Sequence, residues 1–363
     1  MKRYPAFDPP EYVSWSADPA LVAAFAATAR RDAERRRVIE SLDEAALLGL
    51  YEGLLRTRLQ DIVLKRWVRT GVISKAWLGT GEEAMTVGPV HALDRSRDIV
   101  VPMIRNAGAC AEMGMPIADN FRSYLGTGDA PSGGRDLHAG SLAHHVLQPI
   151  SHVGDVVPVV AGMALVSRVR RDGFVVLTWI GDGSTKTGTA HEGLNFAAVQ
   201  KVPGLFVIHN NQVALGTRLG QHHLAEDFSE LAEAYGMAGA VFDGNNVLDA
   251  YAATRLAAER CRAGGGPVML VGTTFRMGGH ATHDEREARA LFPPEWFAEW
   301  GRKDPIGLYE EHLKRLGVAS SVLGDAEARV AAEVGRAEED ALRSRVASVP
   351  DPASAVKGVY ADS

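Results

Sequence analysis

The stretch GDGSTKTGTAHEGLNFAAVQKVPGLFVIHNN, Gly181 to Asn211, decides the fold. Before it stands FVVLTWI (Phe174 to Ile180), an apolar run rich in β-branched and aromatic residues that predicts a buried strand. TAHEGLNFAAVQK then predicts a helix and GLFVIHN (Gly204 to Asn210) a second buried strand, which together make a βαβ unit. In an open parallel sheet, ligands bind beyond the carboxyl ends of the strands. Asp182 ends one strand and Asn210-Asn211 the next, with 26 residues (184–209) between the two motifs, so both face the same rim.

A carboxylate oxygen and an amide oxygen on one rim form part of the hard-oxygen environment that Mg²⁺ prefers, usually completed by waters or phosphate oxygens. The glycines flanking Asp182 would let backbone approach a diphosphate, and the helix opening near Thr189 would point N–H groups toward it. Taken singly, GDG is a turn and NN a cap or turn pair. Their joint placement in one βαβ unit favours the metal and diphosphate reading.

The alternation continues outward from this unit. PVVAGMALVSRVRR (Pro158 to Arg171) predicts a helix before the first strand, and EDFSELAEAYG, AGAVFDG, NVLDAYAATRLAAERCRAG and PVMLVGTTF predict helix, strand, helix and strand after the second. The fold class is therefore α/β, a mostly parallel sheet flanked by helices. Upstream, helical patterns run over Leu21 to Ile39 and Asp43 to Arg69, the second with Ser41 as its N-cap. GEEAMTVGPVHALD is helical, DIVVPMI is a short strand, and RNAG begins the loop after it. Two loops stand out, Gly126 to Ser141 (GTGDAPSGGRDLHAGS) and RMGGHATHDEREAR (276–289), the second glycine-rich and charged, hence a poor core segment expected to be mobile until a ligand arrives. The expected division is an irregular segment and helical arm over 1–70, an α/β core over 71–295, and a helical region with a mobile tail over 296–363.

With 363 residues, 46% of them hydrophobic and 23% charged, the chain can bury a sizeable core. Its net charge of −6 offers no global attraction to nucleic acid or to an anionic membrane, and the basic cluster RRDAERRR (Arg30 to Arg37) reads as the solvated face of a helix. The longest apolar run, Val156 to Val166, is too short to span a bilayer, and MKRYPAFDPPEYVSW lacks the apolar stretch of a signal peptide. A cytoplasmic location is expected. Cys110 and Cys261 read as small buried residues, and the doublets His144-His145 and His222-His223 as polar loop residues.

GDG followed by NN resembles the thiamine-diphosphate signature. GVISKAWLGTGEEAMTVGPVHALDRSRDIVVPMIRNAG and FRMGGHATHDEREAR are similar, in colinear order, to the α subunits of 2-oxo acid dehydrogenase E1 components, particularly the branched-chain type. The resemblance implies a thiamine-diphosphate-binding fold in which the side chains of Asp182 and Asn211 and the carbonyl of Val213 hold Mg²⁺. It implies that Arg105, His209 and His280 contact the diphosphate, that Ser151, Val153, Gly181, Gly183 and Ser184 complete the cofactor site, and that His138 and His280 handle protons near the substrate. The implied reaction is oxidative decarboxylation of a small 2-oxo acid with acyl transfer to a lipoyl-bearing E2 acyltransferase. The glutamate that activates the pyrimidine ring would come from an E1 β subunit, in an α2β2 heterotetramer.

The chain departs from the branched-chain pattern at Ile104, where relatives have tyrosine, at His209, where they have arginine, and at Ala281, where animal relatives carry a phosphorylated serine. Pyruvate and acetoin are alternative substrates. From other classes, a noncatalytic subunit that only holds cofactor, or a metal-dependent hydrolase built on His280, His283 and Asp284, would use the same residues differently.

Overall fold

The computed structural model describes residues 15–28, 32–225 and 228–356. It opens with helices α1 (Pro19–Thr28), α2 (Ala33–Glu40) and α3 (Glu44–Arg69). The single helix expected over Leu21 to Ile39 is thus two, because Asp32 starts a new one by accepting from the N–H groups of Glu34 and Arg35, each at 2.9 Å. Asp43, and not Ser41, caps α3, with its carboxylate 2.8 Å from the Ala46 nitrogen. Ser41 instead closes α2, its hydroxyl donating to the Val38 carbonyl at 2.6 Å. The basic cluster is not wholly solvated. Arg36 and Arg37 are exposed, whereas Arg35 is buried and donates to Asp249 at 2.7 Å and to the Val241 carbonyl at 2.8 Å. Arg30 and Arg31 lie outside the described residues.

The core follows as α4 (Glu83–His91), β1 (Ile99–Val101), α5 (Gly108–Glu112), α6 (Ile117–Leu125), α7 (Val156–Arg170), β2 (Val176–Gly181), α8 (Gly188–Val199) and β3 (Gly204–Asn210). RNAG, read as the start of a loop, is a 3₁₀ turn (Ile104–Asn106) leading into α5. A two-stranded hairpin, β4 (Val213–Ala214) with β5 (Thr217–Arg218), leads to the short helix α9 (Leu219–His222), then α10 (Ser229–Ala234), β6 (Ala238–Asp243), α11 (Val247–Arg262) and β7 (Val268–Thr273). Helices α12 (Glu285–Leu291), α13 (Pro294–Arg302), α14 (Pro305–Arg315) and α15 (Ser320–Ala347) complete the described chain.

The five-stranded sheet has the order β1-β2-β3-β7-β6, and every pairing is parallel. Side chains alternate between its faces as the pleat requires. Leu177, Trp179, Leu205, Val207 and Leu270 pack with residues of α4 and α11, while Val176, Ile180, Phe206, Ile208, Met269 and Val271 pack with α7, α8 and α10. Burial on both faces explains why these strands read as continuous apolar runs. Cys110 and Cys261 are buried free thiols, both pushed up to about 12 by burial, as small core residues would be. Among the described residues no helix is long and apolar enough to cross a membrane.

The loop 276–289 departs from the expected poor core segment. Met277 and Ala281 are buried, and Phe275, Met277, Ala288, Phe292 and Phe297 form a satellite cluster with Val213. Thr282 ties the loop down twice, its N–H donating to the Ala76 carbonyl at 2.9 Å and its hydroxyl accepting from the Ala76 N–H at 3.0 Å.

A buried ion cluster holds the helical arm against the core. Arg58 of α3 donates to Glu83 at the start of α4 and, at 3.1 Å, to Asp304, which caps α14; all three side chains are at most 1% exposed. Removing one member strands the others' charges in the interior. Arg58→Ala is therefore expected to lower unfolding free energy by about 3–5 kcal/mol in urea titrations. A loss below about 1 kcal/mol, the range of a surface ion pair, would show that the cluster does not join arm to core.

Candidate active site

The register sets the site. Gly181 pairs with His209, His209 with Gly272, and Asn210 with Thr273, so β2, β3 and β7 end level with one another. The residues that follow, Asp182, Asn211 and Arg276, meet at one rim and line a cavity of about 560 Å³. Of the positions singled out in the sequence, Arg105, His138, Ser151, Val153, Gly181, Asp182, Gly183, Ser184, Asn211, Val213 and His280 all line it. His209 does not.

Asp182 is 2% exposed, and its Oδ1 accepts the Gly183 N–H at 2.8 Å. Burial pushes its carboxyl up, against the pull of that N–H and the charges of His222, Arg276 and His209. Asp182 Oδ2 and Asn211 Oδ1 are buried with no hydrogen-bond partner among the described residues. Buried acceptors are normally satisfied, so two left open at the ends of adjacent strands mark a place where a cation can be held. Between Asn211 and Val213, Gln212 adopts φ +71°, a conformation disfavoured for a side-chain-bearing residue, and this bend starts the hairpin. The hairpin packs onto the GDG turn: a Cβ at Gly183 would stand 2.6 Å from the Ala214 Cβ. Gly183 thus serves packing within the chain. Helix α8 opens at Gly188 with Thr187 as its cap, beside Thr189 as the sequence suggests, and a 3₁₀ turn (Gly183–Lys186) separates it from the GDG turn. The cavity wall ends at Ser184.

Positive charge gathers opposite. Arg105 is buried and donates to the Leu78 carbonyl at 3.0 Å and to the His280 carbonyl at 3.2 Å, with Glu82 at 3.5 Å. Arg276 donates to the carbonyls of Val213 at 3.3 Å and Leu215 at 2.6 Å; burial, then Arg105, lowers its pKa to about 10, which leaves it charged at neutral pH. Glu82 lies behind them. Burial works to raise its carboxyl, but His209, Arg105 and Asn211 outweigh this and hold it down at about 2. His209 is fully buried, with Nε2 3.2 Å from Glu82 Oε1, and so faces this carboxylate rather than the cavity.

Two histidines reach the cavity. His138 Nδ1 is 2.8 Å from Asp136 Oδ1, and Gln148 holds the other Asp136 oxygen at 2.9 Å. This arrangement assigns the Nδ1 proton to the Asp136 side and leaves Nε2 in the cavity, 3.5 Å from the Ser151 hydroxyl. His280 is lowered to about 4 by burial, then by Arg105 and Arg276, and is neutral at pH 7. Asp284 accepts the N–H groups of His280 at 3.1 Å and Ala281 at 2.8 Å, and His283 is exposed. That carboxylate caps backbone, which argues against the hydrolase alternative; among the described residues no group of three or more His, Cys, Asp or Glu could hold a metal ion.

Glu82, Asp136 and Arg276 are not among the residues singled out in the sequence. Arg276 carries a signal of its own, as a charged residue three positions beyond a buried strand. His222 departs from the polar loop expected for its doublet, since it ends α9 with Nε2 3.6 Å from Asp182 Oδ2.

The His280 shift carries a stability consequence with a definite sign. Its folded-state value lies below the ordinary 6.5, so between about 4 and 6.5 the unfolded chain binds the proton more readily. Its contribution is complete above 6.5 and is lost as pH falls toward 4. His280→Gln should therefore melt with a shallower pH dependence than the parent chain in that window, and parallel melting curves would contradict the assignment.

Residues 52–349 match the family model described as dehydrogenase E1 component. The chain is 31% identical over 331 residues to 2-oxoisovalerate dehydrogenase subunit alpha of Bacillus subtilis (strain 168), covering 90% of this chain and 98% of that one. It is 32% identical over 318 residues to 3-methyl-2-oxobutanoate dehydrogenase subunit alpha of Mycobacterium tuberculosis, covering 87% and 82%. It is 30% identical over 318 residues to pyruvate dehydrogenase E1 component subunit alpha of Porphyra purpurea, covering 84% and 90%. The chain belongs to the dehydrogenase E1 component family, as an alpha subunit of the thiamine-diphosphate-dependent 2-oxo acid dehydrogenases.

Proposed function

We propose that this alpha subunit acts on a branched aliphatic 2-oxo acid, with Mg²⁺ and thiamine diphosphate at the rim, in an α2β2 enzyme that passes its acyl group to a lipoyl-bearing acyltransferase. The observation that carries this reading is the pair of open acceptors, Asp182 Oδ2 and Asn211 Oδ1, facing the same cavity as Arg105, Arg276 and His280. The donor chemistry fits: two side-chain oxygens and the Val213 carbonyl suit a hard divalent ion, while the guanidinium groups and an imidazole suit the charge of a diphosphate. Bound there, thiamine diphosphate supplies a nucleophilic carbon that can add to the 2-oxo carbon and stabilise the charge left by loss of CO₂.

The chain's own residues do the rest. Asp182, Asn211 and the Val213 carbonyl hold the ion; Arg105, Arg276 and His280 orient the diphosphate; Glu82 and His209 brace Arg105 from behind. Ser151, Val153, Gly181, Gly183 and Ser184 shape the remaining cofactor wall. His138, with Nδ1 fixed by Asp136, can accept or return a proton at Nε2 beside the substrate. His280, neutral at pH 7, can accept one when negative charge arrives near it. Met103, Ile104, Leu137, Ile150 and Val153 make the wall apolar, which supports an aliphatic side chain on the substrate, as the names of two relatives suggest.

The lining of the cavity supports the β subunit. Among the described residues its wall carries one carboxylate, Asp182, at the metal end. This lining supports a reading in which the carboxylate that hydrogen-bonds the pyrimidine ring is supplied by another chain. Exposed Val159, Val166 and Val169 on α7, with Phe196 and Val199 on neighbouring α8, offer an apolar surface of the sort protein interfaces cover.

Co-expression with the β subunit and dye-reduction assays on pyruvate, 2-oxoisovalerate and 2-oxoglutarate test the substrate. The expected order puts 2-oxoisovalerate first in kcat/KM, and a preference for pyruvate or 2-oxoglutarate would overturn it. Asp182→Ala should weaken Mg²⁺ and thiamine diphosphate binding together in calorimetry of the assembled enzyme, because the ion would be held by protein and diphosphate oxygens jointly. Unchanged cofactor affinity would remove the metal assignment.

A further inference from the structure

After the Gln212 bend, the β4–β5 hairpin and α9 fold the chain back onto the rim, and His222 ends this return. Its side chain is 12% exposed, and Nε2 stands 3.6 Å from Asp182 Oδ2. Neither ring nitrogen has a hydrogen-bond partner among the described residues, and the same holds for Asp182 Oδ2 and Asn211 Oδ1. A mostly covered imidazole whose two ring nitrogens are both shielded from solvent and unsatisfied is costly and calls for a reason. The neighbouring histidine differs: His223 stacks on Phe228 with centroids 3.9 Å apart, and its Nδ1 is 2.8 Å from Lys186 Nζ.

The separation is informative. At 3.6 Å the imidazole is too far from the carboxylate for a hydrogen bond of good geometry. Two donors each about 2.1 Å from one ion stand roughly 3.0–3.4 Å apart at octahedral or tetrahedral angles, within a few tenths of an ångström of what is found. A side-chain adjustment of that size brings both atoms onto a common ion.

We propose that His222 is a nitrogen ligand of the divalent ion, beside Asp182 and Asn211, and that it shifts the preference of this centre from Mg²⁺ toward metals that accept imidazole, Mn²⁺ and Co²⁺ foremost. The inference rests on the metal assignment made above for Asp182 and Asn211 and adds a donor to it. Mg²⁺ takes oxygen ligands and yields its waters reluctantly, whereas imidazole suits first-row transition ions. A nitrogen donor therefore stabilises Mn²⁺ in this site more than it stabilises Mg²⁺.

Pulsed electron paramagnetic resonance of Mn²⁺ bound to the full chain with its β subunit and thiamine diphosphate reads the proposal directly. The expected result is ¹⁴N modulation from a directly bound imidazole, converted to a ¹⁵N pattern when histidine is ¹⁵N-labelled, lost in His222→Gln and kept in His223→Gln. Removing the donor should weaken Mn²⁺ by about tenfold and leave Mg²⁺ nearly unchanged. The labelled parent enzyme supplies its own reading if the variant does not fold. Mn²⁺ bound without nitrogen modulation, or a ¹⁴N signal that survives His222→Gln, overturns the proposal and leaves the Asp182–Asn211 assignment standing. Failure of Mn²⁺ to bind at all in the presence of thiamine diphosphate overturns both.

Discussion

The level ending of β2, β3 and β7 is the constraint on which the site depends. Parallel pairing of Gly181 with His209 and of Asn210 with Thr273 leaves three chain segments to emerge side by side, and each brings one element of the rim. A slip of one residue in any pairing would exchange the side chains packed on the two buried faces as well as separate Asp182 from Asn211. The fold's stability and the alignment of the site are therefore the same fact. Trp179 strengthens this link, since its indole N–H donates to the Met85 carbonyl at 2.7 Å and joins the strand carrying the GDG turn to helix α4.

Charge at the rim is arranged in layers. Glu82 sits deepest, held ionised by His209, Arg105 and Asn211, and Arg105 and Arg276 lie between it and the cavity. Two buried guanidinium groups side by side repel each other, and one buried carboxylate offsets only part of that. An anion with more than one negative charge is the natural complement, which is why His280, neutral beside these arginines, would gain proton affinity as such an anion binds.

Much of this was legible in the sequence, and the reason is physical. A parallel sheet buried on both faces writes itself as apolar runs, and its ligand rim falls where those runs stop, so Asp182, Asn211 and the position of β3 could be read directly. Helix starts were less legible where two capping residues lay close together, as with Ser41 and Asp43. The loop 276–289 reads as a poor core segment because its charges are local, whereas most of the aromatic cluster that anchors it comes from residues 292–300. Glu82 is silent in the sequence and His222 reads only as a polar loop residue because their meaning depends on partners brought near only by folding: Glu82 meets a residue 127 positions away and His222 one 40 positions away. Asp136, two residues from His138, was the exception, a carboxylate close enough in sequence to have been weighed.

The central claim is that one rim, made by the carboxyl ends of three parallel strands, holds metal and diphosphate together. Hydrogen exchange of the assembled enzyme with and without Mg²⁺ and thiamine diphosphate tests it most directly. The account predicts that ligands slow exchange at residues 182–184, 211–215 and 276–282 together, with the outer helices α13 to α15 unchanged. Protection confined to one of these segments, or appearing mainly elsewhere, would contradict it.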